Sequence, residues 1–189
     1  WQNATASSYP LVQAQIATAA GGLTGTGPGL GSPQIVPVAV SDFIYTAIAE
    51  ETGLLGTLGF LLILLILIIR GITAALTAKA TFGRYLAFGI SAYYALQSFL
   101  IIGGNLGLVP LTGVTLPFTS YGGSSLLTNM LSGFLLLKIS SESTLEGLPE
   151  KSRKPYQWMA GLFILLFVAL AAKNSMLAAV QQEDLLSRP

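Results

Sequence analysis

The sequence has no cysteine and no histidine. Without cysteine there is no disulfide and no thiol chemistry, and the redox compartment stays unconstrained. Without histidine the commonest general base and the commonest metal ligand are both missing. Any proton transfer then falls to Asp, Glu, Lys or Tyr. Charge is scarce too. Only 9% of the 189 residues are charged, and the net charge is +1, which says nothing about partners. No basic patch interleaves with aromatics, so a nucleic-acid partner is excluded. What is abundant is apolar: 52% of residues are hydrophobic and the mean hydropathy is +0.70, the composition of an integral membrane protein. The chain opens on Trp1 in a polar stretch, with no starting Met and no signal peptide. It is expected to be part of a longer protein.

Residues 1–41 are rich in Gly, Ser, Thr and Pro. Tyr9–Ala20 is expected to form a short helix at the membrane surface. Gly21–Gly31, GGLTGTGPGLG, reads as loop. It has neither a preceding strand nor a P-loop Lys, so a closely packed or flexible loop is preferred over phosphate binding. Pro33 and Pro37 keep the following stretch extended. Four apolar spans come next, at Phe43–Ile69, Tyr85–Ile102, Ser124–Ile139 and Trp158–Val180. The expected fold is an all-α, polytopic membrane helix bundle. Seven of the nine Lys/Arg fall in the links between the first and second and between the third and fourth spans. That bias makes those links cytoplasmic. Asp42 and the Gly103–Gly123 loop are then extracytoplasmic.

The stretch Ser41–Ile69 combines acids with a membrane span. From Leu54 to Ile69 it is too apolar for a soluble surface helix. Extended back to Phe43, it is long enough to cross a hydrocarbon core of ~30 Å. Ser41 or Asp42 can cap the open N–H groups at its start. On a helical wheel Thr46, Ala49, Gly53 and Gly56 lie below Asp42, a stripe of small residues suited to close helix packing. Glu50 and Glu51 lie ~12 Å further along the axis. Acids at that depth are functional or paired, and a bundle-holding ion pair or hydrogen bond is the blander reading.

The third feature is the loop GGNLGLVPLTGVTLPFTSYGGSSLL, Gly103–Leu127. Non-helical backbone near membrane depth survives only where it is buried in protein or lines a cavity. A re-entrant segment is expected. Its freed N–H groups, with the hydroxyls of Ser120, Tyr121, Ser124 and Ser125, suit an anionic group such as a phosphate. The competing reading is that Gly and Pro shape the loop while the hydroxyls serve its backbone.

SDFIYTAIAEETGLLG resembles the Asp-Phe-Ile…Glu-Glu-x-Gly-x-x-Gly signature of the SEDS family, the RodA/FtsW polymerases of bacterial shape, division and sporulation. LVPLTGVTLPFTSYGGSSLL resembles that family's other signature loop, and AGGLTGTGPGLG resembles the Gly-rich part of its large outer loop. The resemblance covers residues 1–140. It implies the last three of ten membrane spans, in the bacterial cytoplasmic membrane. It also implies a peptidoglycan glycosyltransferase that joins lipid II units into glycan at the outer face. Asp42 falls on the family's essential acid and would act as general base. Ser120, Tyr121, Gly122, Gly123, Ser124 and Ser125 would bind substrate. Glu50, Glu51, Gln97, Asn105 and Pro117 would support the site. A divalent cation, Mg or Mn, is open, with no metal ligands assigned. Many relatives carry His and Thr where this chain has Val40 and Ser41, so a role for that His does not carry over.

The fourth span departs from the family. Trp158–Pro189 resembles the membrane anchor and first stalk residues of a class B penicillin-binding protein, the transpeptidase partner of SEDS proteins. The expected organisation is 1–140 polymerase, 141–157 cytoplasmic linker, and 158–189 anchor and stalk of a fused transpeptidase. Gly161 and Ala169–Ala172 are the expected close contacts of that anchor. Lys173 either snorkels to the interface or pairs with an acid. The partners implied are lipid II, undecaprenyl-pyrophosphate-linked glycan, membrane lipid and the transpeptidase. Two other readings stand beside this one: a lipid II transporter or flippase, and a non-catalytic scaffold of the wall-synthesis machinery.

Overall fold

The computed structural model describes residues 9–30, 42–142 and 150–180. Pro33, Pro37, Ser41 and residues 181–189 lie outside them, and with them the Ser41 cap and the stalk. The elements run α1 Tyr9–Ala20, α2 Ile44–Thr77, α3 Thr81–Asn105, α4 Gly123–Ser141 and α5 Glu150–Ser175, which closes in a π-helical turn, Met176–Val180. The fold is all-α, with no strand among the described residues. Three helices are long and apolar enough to cross a membrane: Ile44–Thr77, Thr81–Asn105 and Ala160–Ala178. That makes the chain a multi-pass membrane protein. α4 is not one of the three. Its 19 residues include Ser124, Ser125, Thr128, Asn129 and Ser132, which dilute its apolar surface.

α2 is two helices, not one. Gly53, at φ 66° and ψ −165°, leaves helical geometry at the tenth of its 34 residues. This corrects the continuous span expected from Phe43 to Ile69. The length supports it: Leu54–Thr77 alone spans ~36 Å at 1.5 Å per residue, enough for a bilayer core. The acid-bearing top, Ile44–Thr52, is therefore not needed to cross. Glu50 and Glu51 stand beside the break rather than deep in a straight span.

A break orphans the carbonyls before it and the N–H groups after it. The Gly-rich loop after α1 takes both. Thr26 and Gly27 donate backbone N–H to the Glu50 and Glu51 carbonyls, at 2.9 and 3.1 Å. Leu54 and Leu55 donate to the carbonyls of Gly22 and Leu23, at 2.9 and 3.3 Å. The Thr26 hydroxyl adds a 3.1 Å bond to the Glu50 carbonyl. Glycine is needed on both sides. A Cβ on Gly25 would run into the Glu51 carbonyl, and one on Gly53 into the Gly25 nitrogen. The loop is thus closely packed, as one of its two readings had it, and α1 before it caps the same end of the bundle.

Below the break, α2 packs on α3 at close range, where Ser91 Oγ fills the space a Cβ on Gly71 would need. The core is Leu61, Leu64 and Ile68 of α2, with Tyr94, Ile101 and Ile102 of α3 and Phe163, Phe167 and Leu170 of α5. α5 starts at Glu150, so the linker expected over 141–157 is helical from there on. It docks through Phe163, Phe167, Leu170, Asn174 and Leu177, all buried. Gly161, Ala169 and Ala172 face outward instead, and of that set Leu170 is buried and Ala171 half-buried. The expectation failed for Gly161, Ala169 and Ala172, while Leu170 and Ala171 pack on the core, because a 4-3-4-3 apolar seam makes the contact. Lys173 is half-exposed.

One buried polar bond ties α5 to α2. Asn174 Nδ2 donates to Thr57 Oγ1 at 2.7 Å. The Thr57 hydroxyl itself donates to the carbonyls of Gly53 and Leu54, both at 3.0 Å. Asn174→Leu should cost roughly 0.6–1.7 kcal/mol, the mean and upper end for cross-helix bonds in membranes. Thermal unfolding in detergent checks this, and an unchanged midpoint would show that the amide is not a tie.

Candidate functional site

The elements that carry the family-like motifs meet at one end of the bundle. Asp42 stands just before α2. The helix's N-cap position is Phe43, which has no side-chain cap, so Asp42 does not cap it. The Phe43 carbonyl instead accepts from the Thr46 hydroxyl at 2.7 Å. Asp42 is half-buried. Its Oδ2 lies 3.9 Å from where a Cβ on Gly113 would stand, so the carboxylate faces loop 106–122 between α3 and α4. Among the described residues no hydrogen bond is made by that carboxylate.

The loop holds its own shape around Leu116–Ser120. Leu116 N–H donates to Ser120 Oγ at 2.7 Å, and Ser120 N–H returns to the Leu116 carbonyl at 3.1 Å. Leu116, Pro117 and Ser120 are buried while Pro110, Leu111 and Thr112 are exposed. Phe118 sits at φ 60°, a conformation strained for a bulky side chain. It is held there by the Tyr94 ring, 5.3 Å between centroids, and by Gly133, where a Cβ would lie 3.6 Å from the Phe118 ring.

α4 opens at Gly123 with Gly122 as N-cap and no side-chain cap, and among the described residues its first N–H groups have no side-chain acceptor. Such an end attracts anions. Tyr121 is 81% exposed there, and Gly123 and Ser124 are exposed beside it. Ser125 Oγ pairs with Thr115 Oγ1 at 2.6 Å and accepts from Asn129 Nδ2 at 3.3 Å. Gln97 Nε2 reaches the Thr115 carbonyl at 2.7 Å. Of the two hydroxyl protons of Thr115 and Ser125, one is used between them and the other has no acceptor among the described residues.

The structure sets the Asp42 carboxylate against Gly113 and, two residues on, links Thr115 to Gln97 and Ser125 by hydrogen bonds. Glu50 and Glu51 belong to the joint with the Gly-rich loop, through their backbone carbonyls. Asn105, fully buried at the end of α3, has neither amide atom paired among the described residues. Gln15 was not singled out from sequence. It is buried on α1, and its Nε2 fills the space beside Gly107 that a Cβ would need, which ties α1 to the loop's start. Thr115, Phe118 and Asn129 were also missed. Only Asn129 left a signal, one helical turn after Ser125. No group of three or more His, Cys, Asp or Glu able to hold a metal is present among the described residues.

The family profile FTSW_RODA_SPOVE, described as Cell cycle protein, matches residues 1–145. The peptidoglycan glycosyltransferase RodA of Mycobacterium tuberculosis is 46% identical over 134 residues, covering 71% of this chain and 29% of that protein. A protein of Geobacter metallireducens named "Probable peptidoglycan glycosyltransferase FtsW" is 38% identical over 143 residues, 75% of this chain and 38% of its own length. A namesake in Thioalkalivibrio is 36% identical over 160 residues, at 82% and 40%. The chain thus spans 29 to 40% of these curated relatives.

Proposed function

This chain belongs to the FtsW/RodA/SpoVE family of cell cycle proteins, and on that premise we propose that it is the C-terminal part of a peptidoglycan glycosyltransferase using Asp42 as general base. One observation carries the choice of residue. Asp42 is the acid whose carboxylate faces the hydroxyl-rich loop, at Gly113. In this reading the substrates are two lipid-linked sugars at the outer face of the cytoplasmic membrane. Asp42 takes the proton from the 4-hydroxyl of the acceptor GlcNAc. That oxygen attacks the anomeric carbon of the donor MurNAc, a new C–O bond forms with inversion, and undecaprenyl pyrophosphate leaves with the bonding pair. The protonated carboxyl then returns its proton to water. With no histidine in this chain, a carboxylate with no competing hydrogen bond among the described residues is the natural acceptor.

The uncapped start of α4 and the unused hydroxyl proton of the Thr115–Ser125 pair suit pyrophosphate oxygens. Ser120, with its hydroxyl committed to Leu116 N–H, acts in shaping the loop. A divalent cation would find one carboxylate here, Asp42, and Mg²⁺ commonly takes one or two carboxylates with the rest from water and phosphates. It would supply charge neutralisation on the leaving pyrophosphate.

The transporter reading has one point in its favour, the discontinuous α2. In transporters, however, unwound carbonyls face the cargo. Here the Glu50 and Glu51 carbonyls are taken by the Gly-rich loop. For residues 158–189 we keep the anchor of a fused transpeptidase. The family profile ends at residue 145, short of α5, which leaves room for that reading. Sequencing past Pro189 tests it: a downstream domain without a Ser-x-x-Lys motif would end it.

The activity test is lipid II polymerisation. Purified full-length protein should turn lipid II into a ladder of glycan strands, whereas residues 1–189 alone should make none. The family part of this chain, α2 to α4, cannot by itself wall a pocket for two lipid-linked disaccharides. No ladder from active-grade full-length protein would reject the polymerase, and a ladder from the fragment would reject the need for the missing spans.

A further inference from the structure

Loop 106–122 has no regular structure of its own, yet it carries Gly113, which faces the Asp42 carboxylate. Gln97 reaches the loop from the middle of α3. It is 4% exposed, and its Nε2 donates to the Thr115 carbonyl at 2.7 Å, with Thr115 Oγ1 at 3.3 Å. Thr115 is two residues from Gly113. The same threonine hydroxyl pairs with Ser125 in the first turns of α4, and Asn129 holds Ser125 from one turn below. The Asn129 carbonyl accepts from Tyr94 OH at 2.8 Å, which brings the contacts back to α3. One face of α3 thus grips both the loop and the helix after it.

Gln97 is a poor choice for stability alone. Its Oε1 is buried with no hydrogen-bond partner among the described residues, a penalty that an apolar side chain of the same length would not carry. What the amide adds is the N–H donor to Thr115. We propose that Gln97 is a positioning residue that sets the height of loop 106–122 against Asp42, and so the room for the acceptor hydroxyl. This rests on Asp42 being the base. The effect is on geometry rather than affinity: misplacement of about 1 Å around a reacting group can cost ~10²-fold in rate.

The test uses Gln97→Met in the full-length protein, since Met is close in length, adaptable and fits a core gap. Two readouts are taken. Lipid II polymerisation gives kcat and KM. Maleimide labelling at Thr112→Cys, at an exposed loop position, reports the loop itself. This segment has no cysteine of its own, and labelling is counted above the protein lacking the introduced one. The expected result is a kcat lowered about 10- to 100-fold, KM within about twofold, and faster labelling at Cys-substituted Thr112. An unchanged kcat would overturn the proposal, as would a lowered kcat with unchanged labelling. Asp42→Asn run alongside separates the two readings. If it turns over normally while Gln97→Met still loosens the loop and slows turnover, the acid is wrong and the loop anchor stands.

Discussion

Asp42→Asn in the full-length protein should lower lipid II polymerisation by ~10²–10⁴-fold, the usual cost of losing a general base. Asn keeps the size of the side chain and can still lie against Gly113. It cannot accept the proton. The fold should not notice the change, because no hydrogen bond ties the Asp42 carboxylate among the described residues, and Asp42 does not cap α2. Expression, thermal midpoint and lipid II binding should therefore stay at the parent's level while turnover collapses. The pattern of failure is informative. Equal loss of binding and turnover would place the carboxylate in anchoring, directly or through a cation. Near-normal turnover would reject Asp42 as the base.

Gly53→Val should destabilise the fold strongly, by roughly 3–9 kcal/mol. Two effects add. The first is conformational: φ 66°, ψ −165° lies in a region that essentially only glycine occupies, worth ~1–3 kcal/mol of strain for another residue. The second is steric: a Cβ there meets the backbone of Leu23, Thr24 and Gly25. Backbone cannot swing aside as a side chain can. Relieving the clash separates loop from helix and gives up four backbone hydrogen bonds, each worth ~0.5–1.5 kcal/mol net. Gly59 is the control. It lies six residues on in the same helix, with nothing within 4 Å of an added Cβ. Gly59→Ala should be neutral or gain up to ~1 kcal/mol of helix propensity. Denaturation in mixed micelles, with protease nicking of Gly21–Gly29 as a local probe, reads both. Equal midpoints for the two variants would show that the break is not needed.

Helix positions were largely legible, since apolar runs and polar punctuation report them directly. Tyr9–Ala20 matches α1, and α3 and α4 differ from expectation by a few residues at each end. The break in α2 was not legible. A glycine inside an apolar run is compatible with an intact membrane helix, and the partner that stabilises the break lies 28 residues earlier, at Gly25. The seam of α5 was legible in principle from Phe163, Phe167, Leu170, Asn174 and Leu177. Weighting small residues hid it. At the site, Asp42 stood out by charge in an apolar chain, but its neighbour did not: nothing in a string of letters says that Gly113 faces it. The Gln97–Thr115 bond is of the same kind, joining positions 18 apart through a side chain whose role depends on the loop's path. Phe118 is harder still. Its strain comes from φ, which Phe in a Pro-Phe-Thr context gives no reason to suspect.

The joint between the Gly-rich loop and the break in α2 is made mostly of peptide N–H and C=O groups, with one threonine hydroxyl added. Peptide groups do not titrate in the range where proteins survive, and they carry nothing to alkylate, oxidise or phosphorylate. The acid-bearing top of α2 is thus fastened by a clasp that is chemically inert to its medium. Acidification, oxidants and changing ionic strength leave the backbone bonds of that clasp at the same strength.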